Sequence, residues 1–167
     1  MTEETFTEPV AWHASLPGVI VSAAGIIRDR DDKVLLVKPN YRDHWSLPGG
    51  ICEFGEPPQD GCAREVAEEI GLALPVGPLL SVDWHVASAI YGPAARPAVF
   101  FIFDCGTLPD LSGVTLQAAE IDDCRFATSA ELGELLHAGT VPRIRAAIAA
   151  LATGCVRYVP QLTGEPA

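Results

Sequence analysis

Three carboxylates, Glu65, Glu68 and Glu69, follow one another at spacings of three and four residues. On a helix such residues share one face. Like charges at that spacing cost a few tenths of a kcal/mol per pair, so three together are unfavourable without a compensating cation. A set of oxygen ligands suits a hard divalent ion, Mg²⁺ or its substitute Mn²⁺. Glutamates are also good helix formers, and on the helix alone a solvated acidic face explains the run equally well. The segment in front shifts the balance. Gly49-Gly50 lets the backbone approach a ligand closely, Glu53 and Glu56 add carboxylates, and Arg64 can pair with a neighbouring carboxylate and hold it in a metal-binding pose.

Elements must position these residues. Over residues 58–70, Ala63, Val66, Ala67 and Ile70 recur at helical spacing as one apolar stripe, with Pro58 suited to the first turn and Gly71 to a left-handed stop. Upstream, residues 18–27 and 33–37 are β-rich runs joined by the charged segment 28–32, which predicts a hairpin. Residues 39–43 carry loop chemistry, 45–47 a short extended piece, and 48–50 a turn. Downstream, strands are predicted over 79–90, 98–105, 114–118 and 123–127. A helix is predicted from Thr128, where Thr128 and Glu131 match a capping box, and another over 142–152 ahead of Gly154. The pattern predicts an α/β protein: a flexible lead over 1–17, one domain over 18–155 and a tail over 156–167.

Bulk properties narrow the function. A chain of 167 residues with 49% hydrophobic and 20% charged residues is long enough for one well-filled core and too apolar to be disordered. The net charge of −11, with no Lys/Arg cluster to offset it, repels nucleic-acid backbones and excludes large nucleic-acid partners. A small phosphorylated substrate stays compatible if cations screen its site. Five widely spaced cysteines with no Cys-x-x-Cys pair predict reduced structural thiols. The longest early apolar run, residues 19–27, is too short to span a bilayer, and acidic first residues do not look like an export signal, so the expectation is a cytoplasmic protein without a membrane partner.

From Gly50 the chain runs Gly-x5-Glu56-x7-Arg64-Glu65-Val66-Ala67-Glu68-Glu69-Ile70-Gly71-Leu72, which resembles the Nudix box at every fixed position, and the Leu47-Pro48-Gly49-Gly50 lead-in resembles that family's as well. The resemblance implies a Nudix-type α/β/α sandwich around a mixed β-sheet. It further implies that Glu65, Glu68 and Glu69 ligate Mg²⁺, with the Gly49 carbonyl as a further ligand, that Arg64 orients a carboxylate, and that Glu56 stabilises the loop. The reaction implied is hydrolysis of a diphosphate linkage in a nucleoside diphosphate joined to another moiety. Glu65 is the first choice for the general base; Glu120, before the strand-like 121–127, is the alternative. For substrate binding, Lys38 and Arg42 are candidates for phosphate, and Trp45, with Trp84 and Tyr91, for stacking on a base. The family's habit of pairing implies a homodimer. A Nudix-fold sensor that binds a nucleotide metabolite without cleaving it is the competing reading, and an isomerase on the same scaffold is a third. The substrate is left open among ADP-ribose, dinucleotides, nucleoside triphosphates and sugar nucleotides.

Overall fold

The computed structural model describes residues 8–86 and 95–161. The apolar run after Val19 becomes β1, Ile20–Arg28, and the charged segment that follows turns the chain into β2, Val34–Pro39. Asp29 makes that turn: its carboxylate accepts hydrogen bonds from the backbone N–H groups of Asp31 and Lys33, at 2.8 and 2.9 Å. β3, Gly49–Ile51, pairs antiparallel with β1 and leads into α2, Pro58–Ile70. The chain continues through β4, Leu79–His85, β5, Ala98–Thr107, and β6, Ile121–Ala127. Two helices, α3, Leu132–Leu135, and α4, Val141–Thr153, precede the last strand, β7, Arg157–Gln161.

The sheet runs β6-β2-β1-β5-β4-β7, with β3 on β1 beside β2. β1 pairs parallel with β5 and β4 parallel with β7, and the other pairings are antiparallel. Apolar side chains on both faces of this sheet require a covering layer on each. On one side α2 buries Cys62, Val66 and Ile70 against Ala23, Ile27, Leu35 and Phe103; on the other α4 buries Ile144, Ala147 and Ala150 against Ile26, Leu36 and Ile102. This is the α/β/α sandwich that the Nudix resemblance implies. Each of the large aliphatic side chains contributes about 1.5–3 kcal/mol through burial, which fixes α2, and with it the acidic residues, against the sheet.

Several local expectations change. The buried stripe of α2 is Cys62, Val66, Glu69 and Ile70, while Ala63 and Ala67 are only half-buried. β3 packs against α2 and covers one acidic position that the helical pattern placed with the solvated face. Residues 114–118 form no strand, because their backbone bonds go elsewhere: the Thr115 and Gln117 N–H groups donate to the Ile70 and Glu69 carbonyls at the end of α2. The lead over 1–17 contains α1, Pro9–Ser15, which buries none of its residues, and the tail over 156–167 supplies edge strand β7. The capping box at Thr128 forms, with Thr128 N donating to Glu131 at 2.8 Å and Glu131 N to Thr128 Oγ1 at 3.4 Å, yet it opens only the single turn of α3. The predicted strand over 79–90 is observed as far as His85; its end, with Tyr91, lies outside the described residues. No helix among the described residues is long and apolar enough to cross a membrane.

Candidate active site

The site is assembled by a strand, a helix and two loops. Gly49 adopts φ 147°, and a Cβ there would stand 2.4 Å from the Ala23 carbonyl oxygen, so only glycine lets β3 lie this close to β1. Gly50 is required for a different reason. A Cβ on Gly50 would fall 2.5 Å from the Glu65 carboxyl carbon, so the missing side chain is the space the carboxylate occupies. The Gly49 N–H donates to Glu69 Oε2 at 2.9 Å. The Gly-Gly pair thus seats two carboxylates of α2 against bare backbone.

Electrostatically the seat is strained. Glu69 is 5% exposed, and its pKa is pushed up to about 7, chiefly by burial and further by the negative charges of Glu65 and Glu120; the Gly49 N–H and Arg42 pull the other way. Glu65 is likewise raised by burial, with Glu68 and Glu120 adding to the effect against the opposing pull of Arg64. Glu68 is the outermost of the three and is exposed.

Arg64 sits at the centre of this charge. Its Nε and Nη2 grip the two oxygens of Glu56, each at 2.9 Å, in a bidentate fork. Its Nη1 reaches Glu65 at 2.9 Å and Glu68 at 3.1 Å, and Nη2 also donates to the Ile51 carbonyl at 3.2 Å. The fork holds Glu56 well below the usual carboxylate range, with help from the Glu53 N–H. Glu56 therefore anchors Arg64, and Arg64 aims two of the three carboxylates.

The remaining candidates are placed as follows. Glu120 is exposed in the loop before β6, and its charge is felt by both Glu65 and Glu69, so the structure brings it to the carboxylate face. Arg42 is exposed, lies over the Tyr41 ring at 5.1 Å, and is felt by Glu69. The Lys38 ammonium donates to the Pro39 and Arg42 carbonyls within its own loop. Trp45 is half-buried and packs on the core against which α4 lies, with its backbone N–H donating to the Leu135 carbonyl at 3.0 Å. Trp84 lies in β4, half-buried.

The residues fit a divalent cation in kind: hard oxygen donors, one of them buried among like charges, and a cradle that a Cβ at Gly50 would fill. As they stand, Arg64 holds Glu65 and Glu68, and among the described residues the acidic side chains are not drawn into a closed metal-binding group.

One buried charge escaped the sequence reading. Asp83 on β4 is fully buried and pairs with Arg143 Nη1 of α4 at 2.6 Å, while the Arg143 guanidinium stacks on the Phe100 ring at 3.8 Å. The pair spans 60 residues, and no local pattern announces it.

With this geometry in view, comparison with known proteins is direct. The NUDIX domain family model matches residues 19–151. The chain belongs to the Nudix hydrolase family. A MutT-like protein of Streptomyces ambofaciens is 31% identical over 114 residues, which cover 68% of this chain and 67% of that protein. The ADP-ribose pyrophosphatase of Methanocaldococcus jannaschii is 33% identical, with 55% of this chain and 66% of that protein covered. The crystal structure of the MutT protein from Methanosarcina mazei Go1 superposes with a TM-score of 0.63 at 23% identity, covering 84% of this chain and 98% of that one, a likeness of fold alone.

Proposed function

We propose that the chain is a Mg²⁺-dependent hydrolase that cleaves the diphosphate linkage of a nucleoside diphosphate joined to another moiety. The observation that carries the proposal is Glu69, buried beside Glu65 and in the field of Glu120, an arrangement unfavourable until positive charge arrives. Glu65, Glu68 and Glu69 would hold the ion, with the Gly49 carbonyl as a further ligand. Bound there, Mg²⁺ supplies charge neutralisation for the diphosphate oxygens and acidifies the attacking water. Arg64, fixed by Glu56, aims Glu65 and Glu68. Glu65 or Glu120 accepts the proton of the water as its oxygen bonds to phosphorus and the bridging P–O bond breaks. Arg42, exposed and close enough to act on Glu69, is our choice for a phosphate contact. Lys38 and Trp45 have less support in that role, since one is bonded to its own loop and the other to the core.

The ADP-ribose pyrophosphatase relative makes ADP-ribose the first compound to test. Incubation of the protein with Mg²⁺ and a panel of nucleoside diphosphate compounds should release a nucleoside monophosphate from at least one. Binding of a panel member without turnover at any Mg²⁺ concentration would replace this proposal with the sensor reading.

A further inference from the structure

The loop that carries Glu120 is held at both ends, and the second tether explains how an exposed glutamate could act at a buried site. One end is tied to α2: the Thr115 and Gln117 N–H groups donate to the carbonyls of Ile70 and Glu69, at 2.9 and 3.1 Å. The Gln117 carbonyl then accepts from Glu120 N and Ile121 N, both at 2.9 Å, which folds the segment into a turn beside the acidic face. The other end meets β2, where the ladder fails. β2 and β6 pair from Val34 with Ala127 to Lys38 with Asp123; then the register slips, and Pro39 lies opposite Ile121. Proline has no N–H to donate, so regular pairing cannot continue through it. Asn40 takes over. Its backbone N–H donates to the Glu120 carbonyl at 2.8 Å and its side-chain Nδ2 donates to the Ala119 carbonyl at 2.8 Å.

Two donors from one residue therefore grip the two consecutive carbonyls that flank the Glu120 α-carbon. Rotation of those two peptide units is what would swing Glu120 away from Glu65 and Glu69. The β2 loop is itself braced, since the Lys38 ammonium bridges the Pro39 and Arg42 carbonyls on either side of Asn40. Asparagine suits the position because its amide offers a donor without charge, whereas an aspartate of the same shape would set a negative oxygen against a carbonyl oxygen. We propose that Asn40 is a positioning residue that fixes the Glu120 carboxylate over the acidic face of α2 for the hydrolytic reaction. The inference rests on the hydrolytic reading of the site and adds to it a specific route by which Glu120 is held there.

The test combines kinetics with a readout that needs neither metal nor substrate. In the metal-free protein, Asn40→Ala and Asn40→Asp should each speed amide exchange at Glu120 and Ile121 by about fivefold to tenfold, the scale of one lost hydrogen bond. With Mg²⁺ and the fastest substrate of the panel, both variants should lower kcat by about tenfold to a hundredfold, the effect of a displaced catalytic group, with KM nearly unchanged. Glu120→Gln should lower kcat at least as far, and Asn40→Ala combined with Glu120→Gln should be no slower than Glu120→Gln alone. Unchanged exchange at Glu120 in both Asn40 variants would overturn the proposal. So would a silent Glu120→Gln, or losses that multiply in the double variant, because Asn40 would then act independently of Glu120. If the wild type turns over nothing in the panel, the hydrolytic reading fails by itself, and the exchange result still decides whether Asn40 holds the loop.

Discussion

Glu69 and Asp83 are both carboxylates buried on the sheet, on opposite faces, and they are treated in opposite ways. Asp83 is fully buried against α4 and meets Arg143 at 2.6 Å; the guanidinium also lies over the Phe100 ring face and donates to Thr140 Oγ1 at 3.2 Å. Charge is matched there, and what results is a clasp between helix and strand. Glu69, 5% exposed on α2 beside β3, has a backbone N–H and the pull of Arg42 to set against burial and two like charges. Desolvation alone would favour a neutral residue at the second place. A fold that resolves one buried charge with a partner and leaves the other short of positive charge is what the proposed cation site requires.

Breaking the matched pair should have the largest effect on stability. Arg143→Met leaves Asp83 buried without its cation, which costs about 3–5 kcal/mol, whereas Arg143→Met with Asp83→Leu removes both charges and should recover much of the loss. Chemical denaturation of the two variants checks this. Turnover per folded molecule should stay near wild type in both, since the pair lies on the other face of the sheet from α2. A single variant as stable as the wild type would dissolve the contrast.

The unmatched side should appear as a pH dependence. The folded-state pKa of Glu69 lies near 7, above the ordinary 4.5, so the folded protein binds the extra proton more tightly than the unfolded chain does. The stability this group contributes is present below about pH 4.5 and is lost as pH rises toward 7, up to about 3 kcal/mol; Glu65 shifts in the same direction. In EDTA, the melting temperature of the wild type should therefore fall relative to Glu69→Gln between pH 4.5 and 7. Saturating Mg²⁺ should close the gap by favouring the ionised form. A difference that stays flat with pH would mean that Glu69 is not held in a costly state.

Arg64 is a smaller and sharper case, a matched charge inside the unmatched site. Lysine keeps the charge but not the fork that grips Glu56 while reaching Glu65 and Glu68. Arg64→Lys should lower turnover about 10- to 100-fold, the range for residues that orient metal ligands, with little change in melting temperature. Steady-state rates and melts on the same preparation separate the two effects.

What the sequence revealed follows from how local each feature is. The α2 boundaries, residues 58–70, were legible because a proline opens the helix and Gly71, at φ 71°, closes it. Glu65, Glu68 and Glu69 were legible as a set because helical spacing alone places them together. The burial of Glu69 was not, since it depends on β3 folding over α2, and the helical stripe pointed to Ala63 and Ala67 instead. Residues 114–118 alternate like a strand and bury Val114 and Leu116 in part, but their donors are used by the last carbonyls of α2. Asp83 with Arg143, and Asn40 with the loop before β6, join residues 60 to 79 positions apart. Such pairs are set by sheet order, which one strand's pattern does not encode.

The cation proposed for the acidic face of α2 can be tested directly. Hydrolysis of the fastest diphosphate substrate should be followed against Mg²⁺ concentration for wild type and Glu69→Gln, with thermal melts of both in the presence and absence of Mg²⁺. Gln keeps the side-chain shape and an acceptor for the Gly49 N–H, so the fold survives. In Glu69→Gln turnover should fall by more than about 10²-fold, the scale for a group acting at the reacting centre, the Mg²⁺ requirement should rise, and Mg²⁺ should no longer raise the melting temperature. Near-wild-type turnover by Glu69→Gln at the same Mg²⁺ concentration would contradict the proposal, and would reduce the acidic face to an ordinary helix surface.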